Sequence, residues 1–144
     1  MIEGVDHIGI AVRSIAEARL VWERLGLSVA AIEDVPGEQV RVAMIPCGGV
    51  RLELLEPTSP DSPIARFLQR RGPGIHHLCL RSGDVLEADR ELRDAGLDLV
   101  RDAPGPGAGG SVVQFLHPRS CGGVLLELSQ PASQRAGEGS DGPR

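Results

Sequence analysis

SIAEARLVWERLGLSVA, at 14–30, lies without a gap against DVLEADRELRDAGLDLV, at 84–100. At this offset of 70, Glu17/Glu87, Ala18/Ala88, Gly26/Gly96 and Leu27/Leu97 are identical, and His7 falls on His77. Further along, PCGGVRLELLEP (46–57) matches SCGGVLLELSQP (120–131) at an offset of 74, so the second copy carries about four extra residues in a loop. Self-similarity of this kind reads as a repeated structural unit. The expectation is one domain over 1–131 built of two modules, 2–57 and 73–131, joined by a helical connector at 58–72.

Each copy has the same internal order. A short strand (5–12; 76–82) alternates apolar and other residues. A helix follows (15–25; 85–95), started by Ser14 or Asp84 and closed by Gly26 or Gly96. Ile15, Ala18, Val21, Trp22 and Leu25 recur at helical spacing and are expected to face a sheet. Three strands come next, at 27–33, 39–46 and 50–56, with counterparts at 97–101, 112–117 and 123–129. In the connector, Ser62 caps a short helix with Pro63 at its first position, continuing through Ile64, Phe67 and Leu68 to Gly72. The fold class is therefore α+β: two tandem βαβββ modules whose mixed sheets form a curved cleft. The tail at 132–144 has no apolar periodicity and is expected to be disordered.

Composition narrows the partners. A length of 144 residues is enough for one real core, and 41% hydrophobic with 24% charged residues is ordinary for a soluble globular protein. The aromatics are only Trp22, Phe67 and Phe115, so the core is aliphatic and offers no platforms for nucleic-acid bases. A net charge of -5 argues further against a polyphosphate partner. No stretch has the roughly 20 apolar residues of a membrane span, and the N-terminus lacks the pattern of a secretory signal. Cys47, Cys79 and Cys121 cannot all pair within one chain and fit no paired-cysteine metal motif, which suits reduced thiols in the cytoplasm.

Strand alternation then sorts the chemistry, because residues two apart share a face. On the first strand Ile8, Ile10 and Val12 suit the helix, while His7 shares the other face with Gly9 and Ala11. In the second module His77 lies with Cys79, opposite Leu78 and Leu80. Glu53 opposes Leu52 and Leu54, as Glu127 opposes Leu126 and Leu128. Each module thus sends one imidazole and one carboxylate to the face its helix leaves uncovered. Pseudo-two-fold packing would bring His7, Glu53, His77 and Glu127 together. Two nitrogens and two carboxylates suit one divalent ion, with Co²⁺ first and Ni²⁺, Mn²⁺, Fe²⁺ and Zn²⁺ as alternatives. A six-coordinate ion would keep two positions for substrate oxygens. A lone strand histidine is usually structural, and a Glu between leucines usually faces solvent; recurrence at both repeat-related positions is what favours a metal. Asp6 and His76 are expected to point the other way, His76 as a structural partner of the site. Cys79 reads as a small packing residue.

These segments resemble the vicinal-oxygen-chelate superfamily and, within it, the methylmalonyl-CoA epimerases. DHIGIAV (6–12), RLELLEPTSPDSPIARFLQRRGPGIHHLCL (51–80) and the PGAGG…FLHPRSCGGVLLEL run (106–128) carry the likeness. The resemblance implies exchange of configuration between (R)- and (S)-methylmalonyl-CoA by α-proton abstraction through a metal-stabilised enolate. It also implies an acyl-CoA substrate and a homodimer. His7, Glu53, His77 and Glu127 match the ligand positions, and Glu127 matches one acid–base group. The second acid–base group, a Glu inside the 39–46 strand in some members, has Val42 as its match here. Glu38, at the mouth of that strand, is the nearest carboxylate and takes the role, with Glu33 and Asp34 further off. Gly109, Gly110 and Ser111 would approach the substrate backbone-first, since glycine permits close contact. A glyoxalase I-like lyase or isomerase acting on a hemithioacetal is the rival enzyme. Extradiol dioxygenases use fewer carboxylates, and drug-sequestering proteins of this scaffold commonly lack the ligand set.

Overall fold

Ser14 and Asp84 begin the module helices as their spacing predicts. The Ser14 hydroxyl accepts the Glu17 N–H at 3.3 Å and the Asp84 carboxylate accepts the Glu87 N–H at 2.9 Å, each satisfying one of the donors a helix start leaves open. Around these caps a computed structural model, describing residues 1–135, places the elements of the first module: β1 (Ile2–Ala11), α1 (Ile15–Arg24), β2 (Ala31–Val35), β3 (Val40–Cys47) and β4 (Val50–Pro57). The connector helix α2 (Pro63–Arg71) follows, with Ser62 as its N-cap and Gly72 as its C-cap. The second module runs β5 (Gly74–Ser82), α3 (Val85–Asp94), β6 (Gly105–Pro106), β7 (Val112–Leu116) and β8 (Leu126–Gln130). The fold is α+β, with βαβββ order in both modules. One helical turn, α4 (Ala132–Arg135), stands where the expected disordered tail begins. The rest of that tail, 136–144, lies outside the described residues. Among the described residues no helix is long and apolar enough to cross a membrane.

The chain's contacts divide into two units: Val5–Cys79, and a second made of Met1–Gly4 with the chain from Leu80 onward. In the first, strand order is β2-β3-β4-β1-β5. β1 runs parallel to β4, which a βαβββ connection requires, and β2-β3-β4 form antiparallel pairs. One face carries the aliphatic core, where Val12, Ile15, Ala43, Ile45 and Leu54 are buried against Ala18 and Trp22 of α1. Val21 and Leu25 do not join it, being 56% and 69% exposed. The buried stripe of α1 is the narrow one of Ile15, Ala18 and Trp22; Val21 falls roughly 90° around the helix from it, and Leu25 is already the C-cap.

In the second unit the order is β8-β7-β6, all antiparallel. Val85 and Ala88 of α3 pack on Leu116 and Leu128. The strand expected at 27–33 starts late, as β2 from Ala31, and the one expected at 97–101 does not form. Leu27, Val29, Leu97 and Leu99 are half-buried against the two cores, yet pairing in this stretch of the first module starts only at Ala31. In the second it shrinks to a single Leu99–Leu116 bridge. The strand expected at 123–129 begins late, at Leu126, because Gly122 and Gly123 hold φ of 64° and 95° in a turn.

A polar knot ties α3 to β7. Gln114 is fully buried. Its Oε1 accepts from the N–H groups of Phe115 (2.8 Å) and Arg101 (3.2 Å), while its Nε2 donates to Asp89 Oδ1 (2.7 Å) and the Arg101 carbonyl (3.0 Å). Burial pushes the Asp89 carboxyl up, but hydrogen bonds from Arg93 and Gln114 and the Arg93 charge outweigh it and hold Asp89 below its ordinary 3.8. A carboxyl lowered on folding stabilises the protein above its unfolded value and loses that contribution as pH falls through the folded one. Asp89→Asn is therefore expected to cost about 1–3 kcal/mol at neutral pH, with the gap from wild type narrowing below about pH 4 in urea unfolding. An equal gap at pH 7 and pH 3 would rule the charge out.

Candidate metal centre

The face of the first unit opposite its aliphatic core carries the site. On β1, His7, Gly9 and Ala11 turn to this face while Ile10 packs with the core. Register extends it sideways: His7 lies beside Arg51 and Gly9 beside Glu53 on β4. Glu53 in turn lies opposite Met44 on β3, and Val42, two residues on, lies opposite Glu33 of β2. His7, Glu53 and His77 are all buried, with 5%, 3% and 6% of their surfaces exposed. Groups of this polarity are not buried without partners.

Those partners form a chain. His7 Nε2 faces His77 Nε2 at 3.1 Å, the rings meeting edge to face at 84°. His7 Nδ1 lies 2.7 Å from Asp6 Oδ2 and 3.1 Å from Glu53 Oε2. Arg51 Nη2 donates to the same two oxygens, at 2.8 and 3.1 Å. Burial pulls the Arg51 guanidinium down, but the charges and hydrogen bonds of Asp6 and Glu53 more than offset this and hold it above its ordinary value. On the far side, His77 Nδ1 lies 3.0 Å from His76 Nδ1, and the His76 ring sits edge-on to Phe67 of α2 at 5.0 Å. With two carboxylates at His7 Nδ1, the network assigns the ring proton to that nitrogen and turns the Nε2 lone pair toward His77.

This arrangement fits a divalent ion. Two imidazole nitrogens about 2.1 Å from one ion and at right angles would stand about 3.0 Å apart, close to the 3.1 Å between the two Nε2 atoms. A carboxylate on the remote nitrogen of a ligand histidine fixes its tautomer and raises its basicity; Asp6 stands in that place. Cys79, fully buried, offers a second grouping, since its sulfur and donor atoms of Asp6 and His7 lie within 4.8 Å of one another.

One sequence reading changes here, and one residue of the site was missed. Asp6 does not point away: only 2% exposed, its carboxylate bends back to His7 and Arg51, the donors within its reach. Arg51 was missed, although the alternation that placed Glu53 also places Arg51 on the same face. Its Nε is buried without a hydrogen-bond partner.

The remaining candidates lie elsewhere in the chain. Glu127, on β8 in the second unit, is 6% exposed and pairs in register with Phe115, on the face opposite Leu128 and the α3 core. In the same unit Gly109 and Gly110 hold φ of 66° and 72° in a tight turn. The Ser111 hydroxyl donates to the Ala108 carbonyl at 2.7 Å and the Gly107 N–H to the Ser111 carbonyl at 3.1 Å, which closes that loop. Glu38 ends a short 3₁₀ turn, Pro36–Glu38, in the hairpin between β2 and β3, followed by Gln39 at φ 53°. Asp34 pairs with Arg41 at 2.8 Å.

Comparison with known proteins agrees with this architecture. Residues 6–115 match the Glyoxalase/Bleomycin resistance protein/Dioxygenase superfamily. An uncharacterized protein of Bacillus subtilis, YqjC, is 40% identical over 93% of this chain and 96% of its own length. The ethylmalonyl-CoA/methylmalonyl-CoA epimerase of Cereibacter sphaeroides is 38% identical over 90% of this chain and 99% of its own. Among solved structures, a Streptomyces coelicolor methylmalonyl-CoA epimerase variant in complex with 2-nitronate-propionyl-CoA superimposes with a TM-score of 0.86 at 35% identity, covering 92% of this chain and 97% of that one. With its paired βαβββ modules and relatives matched along almost their whole length, the chain belongs to the methylmalonyl-CoA epimerase family of the glyoxalase superfamily.

Proposed function

We propose that this protein is an isomerase that interconverts the two epimers of methylmalonyl-CoA with the help of one divalent ion. The observation that carries the metal reading is the buried His7–His77 pair, its Nε2 atoms 3.1 Å apart and its outer nitrogen backed by Asp6. The substrate reading rests on relatives named for it and on the acyl-CoA analogue in the Streptomyces structure. His7, His77, Glu53 and, from the second unit, Glu127 are the proposed ligands, with Co²⁺ the first candidate. For Glu53 this means swinging its carboxylate from His7 Nδ1 toward the ion, which leaves Arg51 paired with Asp6. When bound, the ion supplies a Lewis acid for charge that builds on substrate oxygens as the α-proton leaves.

The proton itself is the work of side chains. Glu127 takes or returns it on one face of the reacting carbon. A second group is needed on the other face; of the three carboxylates in the β2–β3 hairpin, Asp34 is paired with Arg41, which leaves Glu38 and Glu33. Glu33 stands directly across from Val42, whereas Glu38 lies past the strand end, so Glu33 is the stronger of the two. Gly109, Gly110 and Ser111 are proposed to meet the acyl-CoA through their backbone. A homodimer in the cytoplasm completes the reading.

The test is a direct competition. The metal-loaded protein is expected to show a higher kcat/KM for (R)- or (S)-methylmalonyl-CoA, followed by deuterium entry from deuterated water, than for the hemithioacetal of methylglyoxal. A clear preference for the hemithioacetal would replace the epimerase reading with a glyoxalase I-like one. Turnover of neither substrate, at full metal occupancy, would remove both.

A further inference from the structure

Gly9 sits inside β1, where a glycine weakens a strand relative to alanine. Its backbone does not call for glycine, because its φ lies outside the left-handed region that other glycines of the chain occupy. What calls for it is space. A Cβ built on Gly9 would lie 2.5 Å from His77 Nδ1 and 2.7 Å from His77 Nε2, closer than real Cβ atoms come to anything. Gly74, which begins β5, has nothing within 4 Å of such an atom. The imidazole of His77 therefore rests flat on the bare backbone of the neighbouring strand.

The ring has little room to step aside. His7 holds it at 3.1 Å through Nε2 and His76 at 3.0 Å through Nδ1, each ring meeting it edge-on with centroids 5.2 Å apart. Gly9 closes the third side. We propose that Gly9 is a positioning residue for His77: its missing side chain forms the seat that points His77 Nε2 at His7 Nε2 and so sets the distance between the two imidazole ligands. The geometry stands on its own, while the consequence for metal binding rests on the reading of the site given above.

A double-mutant cycle tests it, with Gly9→Ala, His77→Ala and the combined variant compared with wild type. Apo melting temperatures and Co²⁺ titrations, read by calorimetry and by the ligand-field absorption of bound Co²⁺, are the measurements. Gly9→Ala is expected to lower the apo melting temperature and to weaken Co²⁺ binding about 10- to 100-fold, the usual loss when a ligand's orientation is disturbed, with an altered absorption band. With His77 already alanine, adding Gly9→Ala should leave the melting temperature unchanged or raise it, since the ring it struck is gone. Wild-type Co²⁺ affinity in Gly9→Ala, or the same fall in melting temperature in both backgrounds, would overturn the proposal. Should Gly9→Ala alone fail to fold, a folded double variant supports it and an unfolded one overturns it. Absence of Co²⁺ binding by wild type would count against the metal reading, while the apo melts would still decide the contact between Gly9 and His77.

Discussion

Alanine at position 77 is expected to yield a folded protein that no longer holds a divalent ion and has lost most of its turnover. His77 offers one of the two facing Nε2 atoms, and no other side chain in its strand face can replace an imidazole there: Ile75 is aliphatic and Cys79 already lies against Asp6 and His7. Loss of a preorganised charge-stabilising group costs on the order of 10²–10³-fold in kcat, and losing the ion itself should reach at least the upper end. His77 is the better position to test than His7. Removing His7 also strips a donor from the Asp6 carboxylate, 2% exposed and paired at 2.7 Å, and a buried charge short of a partner destabilises the whole fold. His77 is flanked by two imidazoles, His7 at 3.1 Å and His76 at 3.0 Å, and folding measured beside metal content separates binding from stability in its variant. Far-UV circular dichroism, metal stoichiometry and kcat/KM on one preparation make the comparison. Full occupancy and activity in His77→Ala would show that His77 is not a ligand.

What the sequence reveals and what it hides divide along physical lines. Ser14, Ser62 and Asp84 are legible because a cap is a local bond: each side chain accepts an N–H two or three residues on. The face of His7 and Glu53 is legible because strand alternation is fixed by backbone geometry. Leu27 and Val29 mislead because an alternating apolar run reports burial, and these two are packed against the core without a partner strand. Val21 and Leu25 mislead because the width of a helix's buried stripe depends on the sheet beneath it. The site's inner connections are hidden for a further reason. Adjacent residues of a strand nominally point to opposite faces, yet a buried carboxylate such as Asp6 follows its donors and not the alternation. Whether Glu53 faces His7 through one ring nitrogen or the other is a matter of side-chain torsions, about which spacing is silent.

The second acid–base group is where register adds most. Inverting a carbon most simply uses one group on each face, a base that takes the proton and an acid that returns one, because one carboxylate cannot easily reach both sides of a planar intermediate. By the family resemblance Val42 takes the strand position of the second acid–base Glu, and a valine cannot move a proton. Directly opposite residues of an antiparallel pair hold their Cβ atoms about 4.5–5.5 Å apart on one face. Glu33 is that partner of Val42, and its longer side chain can recover part of the missing reach. Asp34 belongs to the other face, paired with Arg41 at 2.8 Å. Glu38 lies past Val40, itself two residues or roughly 6.8 Å along the strand from Val42, in a turn where Gln39 is already left-handed. Glu33→Gln is therefore expected to lower kcat by about 10²-fold or more, the scale of a lost general base, with metal occupancy unchanged. Glu38→Gln should cost less. Deuterated water adds an independent readout: with two groups at work, early deuterium enters the product epimer while unreacted substrate keeps its proton. In Glu33→Gln that asymmetry should persist if water takes the lost role, and vanish if Glu127 begins to serve both faces. A slower Glu38→Gln beside an unaffected Glu33→Gln would move the role to the turn, and two variants at wild-type rate would take it out of the hairpin altogether.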